Sequence, residues 1–185
     1  MNDSSEFRIL IEKVKAAQEV HQIKLPVSDN QLTPVFSKEA IDLHYGILYK
    51  NYVTKALAGE GEFQVAGAQL HTLFFEQFQA PKSPNNPAGA AKILIEDKFG
   101  NFQKLKDEIT EIAMDIRGSG WVYLDTKGVI KTIVNHELVD NVSLIIDMWE
   151  HSYQFDYLAD KEKYLKNIWR VLDWHVINRR LNSNA

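Results

Sequence analysis

In the stretch IIDMWEH, Asp147 and His151 stand four residues apart, where an apolar run gives way to a carboxylate, an indole, a second carboxylate and an imidazole. A strand that finishes on Asp147 sets one carboxylate at the edge of a sheet, and the turn after it can bring His151 back to the same point. Two further histidines sit in apolar surroundings. His44 lies in IDLHYGILYKNYV, where positions 44, 48 and 52 share one face of a helix and read His, Leu, Tyr. His71 lies in QLHTLFF and points at the first helix if the two segments form a hairpin. Buried imidazoles need partners for their polar atoms, and two that face each other can share a metal. The chain has no cysteine, so any metal must be held by nitrogen and oxygen. Three histidines and one aspartate suit iron, manganese or zinc. The competing reading is plainer: Asp147 caps the next turn and His151 is a surface residue.

The elements that must position these groups can be read from pattern and punctuation. Residues 1–24 read as a helical N-terminal extension. Residues 25–81 read as an antiparallel helical hairpin: Ser37 resembles an N-cap ahead of Glu39, and AGEG interrupts the pattern around Leu57–Gly61. Three of the five prolines fall in APKSPNNPAG, which places a linker at 82–89. Residues 90–185 mix types. Two helices divide near Gly100. GWVYLDTKGVIKTIVN is a hairpin turning at Asp125–Gly128, VSLIIDMW is a third strand, and helices follow to the C-terminus. The expected class is α+β, a helical hairpin followed by an α/β domain with a small three-stranded antiparallel sheet.

Composition narrows the partners. With 185 residues, 45% of them hydrophobic and 25% charged, the chain can bury a real core. A net charge of −4 argues against nucleic acid. No apolar run is long enough to span a bilayer, and the N-terminus lacks the pattern of a secretory signal. The expected compartment is the cytoplasm.

The string DMWEHSY resembles the D-x-W-E-H-x-Y signature of the iron/manganese superoxide dismutases. Further segments resemble the family in the expected order: LPVSDNQLTPVFSKEAIDLHYGILYKNYV, AQLHTLFF, FGNFQKLKDEITEIAMDIRGSGWVYL and YLKNIWRVLDWHV. The likeness covers about residues 25 to 180. It implies four metal ligands, His44, His71, Asp147 and His151, with solvent as the fifth. It implies one iron or manganese ion per chain, iron slightly favoured or either accepted, and the disproportionation of superoxide. It casts Trp121 and Trp149 as pocket walls, Tyr52 as a channel residue on the proton path, and Glu150 as a bridge to the metal-bound His151 of a second subunit in a homodimer or tetramer.

Several positions depart from the family pattern. Many members carry a His at the channel mouth where this chain has Leu48, paired with a Tyr of the other subunit where it has Gln154. Because both halves are replaced, no buried polar group is stranded. The donor to the bound solvent is usually a Gln, either at the place of Gly67 in iron enzymes or in the C-terminal half, where IVNHEL puts His136. Lys161 stands where an entrance Arg is common. His21 and His175 match no functional position. The alternative to an active enzyme is a related metal protein with weak or altered redox activity or a structural role.

Overall fold

The computed structural model describes residues 20–183. The first helical arm is α1 (Lys38–Leu43), a π-helical segment His44–Tyr49, and α2 (Lys50–Leu57). Ser37 caps it, its side chain accepting from the backbone N–H of Ala40. A cap of this kind contributes about 1 kcal/mol. The turn that follows contains Gly59 and Gly61 at φ 76° and 107°, conformations that glycine adopts without strain. The second arm, α3 (Glu62–Glu76), then runs back along the first. Tyr52 lies against Gly67, Tyr49 bonds Thr72 and His44 meets Phe75, an order that makes the pair antiparallel.

Residues 80–88 hold no helix or strand and are pinned at Asn85, whose Nδ2 donates to the carbonyls of Trp169 and Leu172. Gly89, expected in the linker, is the first residue of α4 (Gly89–Phe99). Gly100 stops α4 at φ 81°, and Asn101 caps α5 (Phe102–Met114). Three antiparallel strands follow in the order β2-β1-β3: β1 (Gly120–Asp125), β2 (Ile130–Val134) and β3 (Val142–Asp147). Every residue of β1 and β3 is buried, whereas most of β2 is not. Three short helices complete the fold: α6 (Glu150–Tyr157), α7 (Lys161–Ile168) and α8 (Trp174–Asn182).

The two halves are clamped where β3 would otherwise be an open edge. The side-chain amide of Gln77, just beyond α3, donates to the carbonyl of Ile145 and accepts from its N–H, as a neighbouring strand would. At the other end of the first arm, Asp156 of α6 accepts from the N–H of Ser37, and the Tyr157 hydroxyl donates to the carbonyl of Val35.

Two expectations are corrected. Residues 20–24, read as the end of a helical extension, form no helix. The chain there lies along the first arm because the Tyr45 and Tyr49 hydroxyls take its backbone groups, Tyr45 from Ile23 and Leu25, and Tyr49 from His21 and Ile23. The rest of that extension, 1–19, is outside the described residues. The third strand ends at Asp147 rather than running through Met148 and Trp149. Asp147 Oδ1 accepts from the N–H of Trp149, which turns the chain out of the sheet.

Candidate metal centre

Four elements each deliver one group to a point between the helical hairpin and the sheet. His44 opens the π-helical segment, where Gln22 donates to the carbonyl of Tyr45. A π turn is wider than an α turn, and the local widening lets His44 and Tyr49 both face α3. His71 comes from the middle of α3, Asp147 from the last position of β3 opposite Trp121, and His151 from the first turn of α6. The turn between Asp147 and His151 is held by the Asp147 carbonyl, which accepts from the hydroxyls of Ser152 and Tyr164, each at 2.9 Å.

One ligand atom from each of these residues lies within 4.8 Å of the others. Asp147 Oδ2 is 3.2 Å from His44 Nε2, 3.3 Å from His151 Nε2 and 3.8 Å from His71 Nε2. All four are among the buried side-chain atoms of the described residues that make no hydrogen bond. Four orphaned polar atoms at one buried point would be costly unless something bound them all. Asp147 therefore has divided duties: Oδ1 caps the turn, as the plainer reading required, while Oδ2 faces the imidazoles. His71 Nδ1–H donates to the carbonyl of Gly67 at 2.6 Å, which leaves the Nε2 lone pair directed at the cluster.

Protonation follows from burial. It pushes His44 down to about 4, and it holds His71 well below its ordinary value, with His44 beside it acting the same way. Burial alone would raise Asp147, but the imidazoles of His151, then of His44, close beside its carboxylate hold it below the usual carboxylate range. At neutral pH the site holds one carboxylate and the lone pairs of His44 and His71, the state that metal ligation requires. The sign of the pH dependence follows. Between pH 6.5 and about 4 the unfolded chain takes up a proton that folded His44 refuses, so the metal-free protein loses stability as pH falls through that window and is level above it. Losing the depressed Asp147 carboxylate at lower pH acts in the same direction. Urea midpoints measured between pH 7.5 and 4.5 should fall only below about 6.5; midpoints that rise on acidification would contradict this.

The pocket beside the cluster is aromatic. Trp121 meets His71 edge-on at 5.0 Å and Tyr52 stacks on the same ring at 5.0 Å. Trp149 stacks on His136 with ring centroids 4.5 Å apart. His136 is 6% exposed and sits in the loop after β2 with its ring 4.8 Å from that of Tyr52. The Trp121 indole N–H donates to His136 Nδ1 at 3.2 Å. That bond makes Nδ1 the acceptor and puts the proton of the neutral ring on Nε2, which is buried without a partner. Burial lowers His136 to about 4, so the ring stays neutral at neutral pH. The other donor slot is closed: a Cβ at Gly67 would come within 2.6 Å of the Tyr52 ring.

Leu48 and Tyr52 line one cleft with Phe63, and burial, then the charge of Asp147, raises the Tyr52 hydroxyl so that it keeps its proton. Glu150 and Gln154 are exposed, and Lys161 Nζ lies over the Tyr153 ring. The Trp121–His136 bond, the Gly67 carbonyl and the Tyr164 hydroxyl were not foreseen, because each contact joins segments that no local spacing relates.

Taken together, the fold and the cluster define a candidate mononuclear metal centre of nitrogen and oxygen ligands with an aromatic approach. The C-terminal domain model of the iron/manganese superoxide dismutases matches residues 87–180. An iron superoxide dismutase of Bacteroides fragilis is 32% identical over 85% of this chain and 97% of its own. A manganese/iron superoxide dismutase of Porphyromonas gingivalis is 31% identical over 85% and 97%, and a manganese one of Listeria monocytogenes is 29% identical over 86% and 96%. The chain belongs to the iron/manganese superoxide dismutase family, and its function is the disproportionation of superoxide to dioxygen and hydrogen peroxide.

Proposed function

We propose that His44, His71, Asp147 and His151 together hold one iron or manganese ion, and that His136, Tyr52, Trp121 and Trp149 shape and supply its pocket. The observation that carries this is the meeting of four buried, otherwise unpartnered ligand atoms. An iron or manganese ion in that position supplies reversible one-electron chemistry, able to accept an electron from one superoxide and return it to another. The chain's own groups do the rest. Asp147 brings the single negative charge of the ligand set. The Gly67 carbonyl fixes the His71 tautomer. Trp121 fixes that of His136, so that Nε2–H is the donor facing the pocket. The Tyr52 hydroxyl, protonated at neutral pH, is the second proton-bearing group beside it. Leu48 carries no proton, so Tyr52 and water are left to pass protons inward from the cleft.

Support for either metal is of two kinds. Relatives at similar identity are named as iron, manganese/iron and manganese enzymes. His136, not an amide, is the available donor, and a neutral imidazole offers a single N–H. This reading favours iron slightly, or tolerance of both. It is tested by reconstituting the metal-free protein with each metal separately and measuring superoxide consumption.

The reading extends to a homodimer in the cytoplasm; the compartment is proposed on the cysteine-free composition alone. Glu150 is exposed, and the neighbouring His151 keeps 16% of its side chain open to solvent, so a second copy could reach the edge of that imidazole with its own Glu150. Replacing Glu150 with alanine should weaken association and metal retention together, the latter by about 10–100-fold as for other groups that orient a ligating imidazole. Light scattering and metal analysis of the same sample check this, and loss of one property without the other would separate the two roles.

A further inference from the structure

The loop that carries His136 has little backbone support of its own. Between β2 and β3 the chain runs from Asn135 to Asn141, which stand at φ 57° and 59°, a conformation that asparagine tolerates. No helix or strand forms between them. Among the described residues, the backbone of 136–140 makes hydrogen bonds only at Val139, and both go to one side chain. The Gln69 amide donates to the carbonyl of Val139 at 3.2 Å and accepts from its N–H at 3.3 Å. A segment held this sparsely opens at little cost once its ties are lost.

We propose that Gln69 is a positioning residue for His136. Gln69 stands on α3 two residues before His71, so the two side chains leave the helix about 200° apart and face opposite sides of it. On the His71 side the His136 ring lies 5.8 Å from that imidazole, centroid to centroid. On the other side Val139 is bound to Gln69. The loop thus passes from one side of α3 to the other, and the Gln69 amide fixes where it lies. One helix then carries both the ligand His71 and the tie that sets how far the pocket donor stands from it. With the tie in place, His136 Nδ1 stays 3.2 Å from the Trp121 indole nitrogen and Nε2–H faces the pocket. Gln69 touches neither substrate nor metal ligands through these bonds. It acts through the donor role proposed for His136, on which this assignment rests.

Two variants of the full chain separate the bonds from the packing. Gln69→Met keeps the length of the side chain and removes both bonds. Gln69→Glu keeps an acceptor for the Val139 N–H and loses the donor, and it reads the same quantities if the methionine variant fails to fold. Amide exchange across 136–140 should be about tenfold faster in Gln69→Met than in the parent, and intermediate in Gln69→Glu. In the metal-free protein the indole N–H resonance of Trp121, assigned by its loss in Trp121→Phe, should move in the same order as its acceptor on His136 drifts. A tie that supported only the loop backbone would leave that resonance in place. Superoxide consumption should fall about 3–10-fold in Gln69→Met with either metal, less than on removing His136 itself. Unchanged exchange, or an unchanged indole resonance, would overturn the proposal. If both change while the rates with both metals stay at the parent value, the tie stands and the donor role of His136 falls instead.

Discussion

Replacing Asp147 with alanine is expected to abolish superoxide consumption and to lower metal affinity by well over about a hundredfold, because even a group that only orients a ligand is worth 10–100-fold. The variant loses two contacts at once. Oδ2 is the atom nearest to all three imidazoles, and Oδ1 caps the turn through the N–H of Trp149 at 2.8 Å. Asp147→Asn separates them. Its amide oxygen can still accept from Trp149, so the turn and the fold should persist. Its amide nitrogen stands where Oδ2 was, with no negative charge and no lone pair. Activity should therefore be lost in both variants. Stability of the metal-free protein should fall mainly in the alanine variant, by about 1 kcal/mol for the lost cap. Metal analysis, superoxide assay and urea denaturation of the three proteins check this. Activity retained by Asp147→Asn would remove the carboxylate from the metal site.

His136 is expected to show the next largest effect, through a different physical route. In His136→Ala the Trp121 indole N–H is left buried without its acceptor, a loss of about 1–3 kcal/mol before any cavity is counted. The proton at Nε2 also disappears from the pocket, and the rate should fall by about 10–100-fold with either metal. His136→Gln restores an acceptor for Trp121 and an N–H donor for the pocket, but from a longer and more mobile side chain. It should recover stability and change the ratio of manganese-supported to iron-supported activity. Comparing the two reconstituted forms of each variant checks this. An unchanged ratio would mean that His136 packs beside Trp149 and Tyr52 without acting on the metal.

How far the sequence carries the site can be judged residue by residue. Asp147 and His151 were legible because strand end and helix start lie in one short string, where local geometry alone brings the pair together. His44 and His71 were legible as buried imidazoles on two helices of a hairpin. Their meeting point depends on the Gly59–Gly61 turn and on the π-helical widening at His44, and only the turn leaves a mark in the sequence. The shared face drawn through positions 44, 48 and 52 assumed a regular α-helix; the wide turn instead sends Tyr49 inward with His44 and leaves Leu48 with Tyr52 in the cleft. His136 could be nominated from the missing amide at Gly67, but not its tautomer, which is set by Trp121 fifteen residues away across the sheet. The α+β architecture was readable from the periodicities. The clamp between its halves was not, because Gln77 acts as a strand edge with a side chain, and no propensity encodes that.

The central claim is that one iron or manganese ion, held by His44, His71, Asp147 and His151, carries the superoxide chemistry. The most direct measurement titrates metal-free protein with iron, and separately with manganese, while bound metal and superoxide consumption are followed in the same samples. Activity should rise in proportion to bound metal, stop rising at one ion per chain with at least one of the two metals, and stay at background throughout in Asp147→Asn. Stoichiometric binding of both metals without superoxide consumption, or activity in the metal-free protein, would contradict the account.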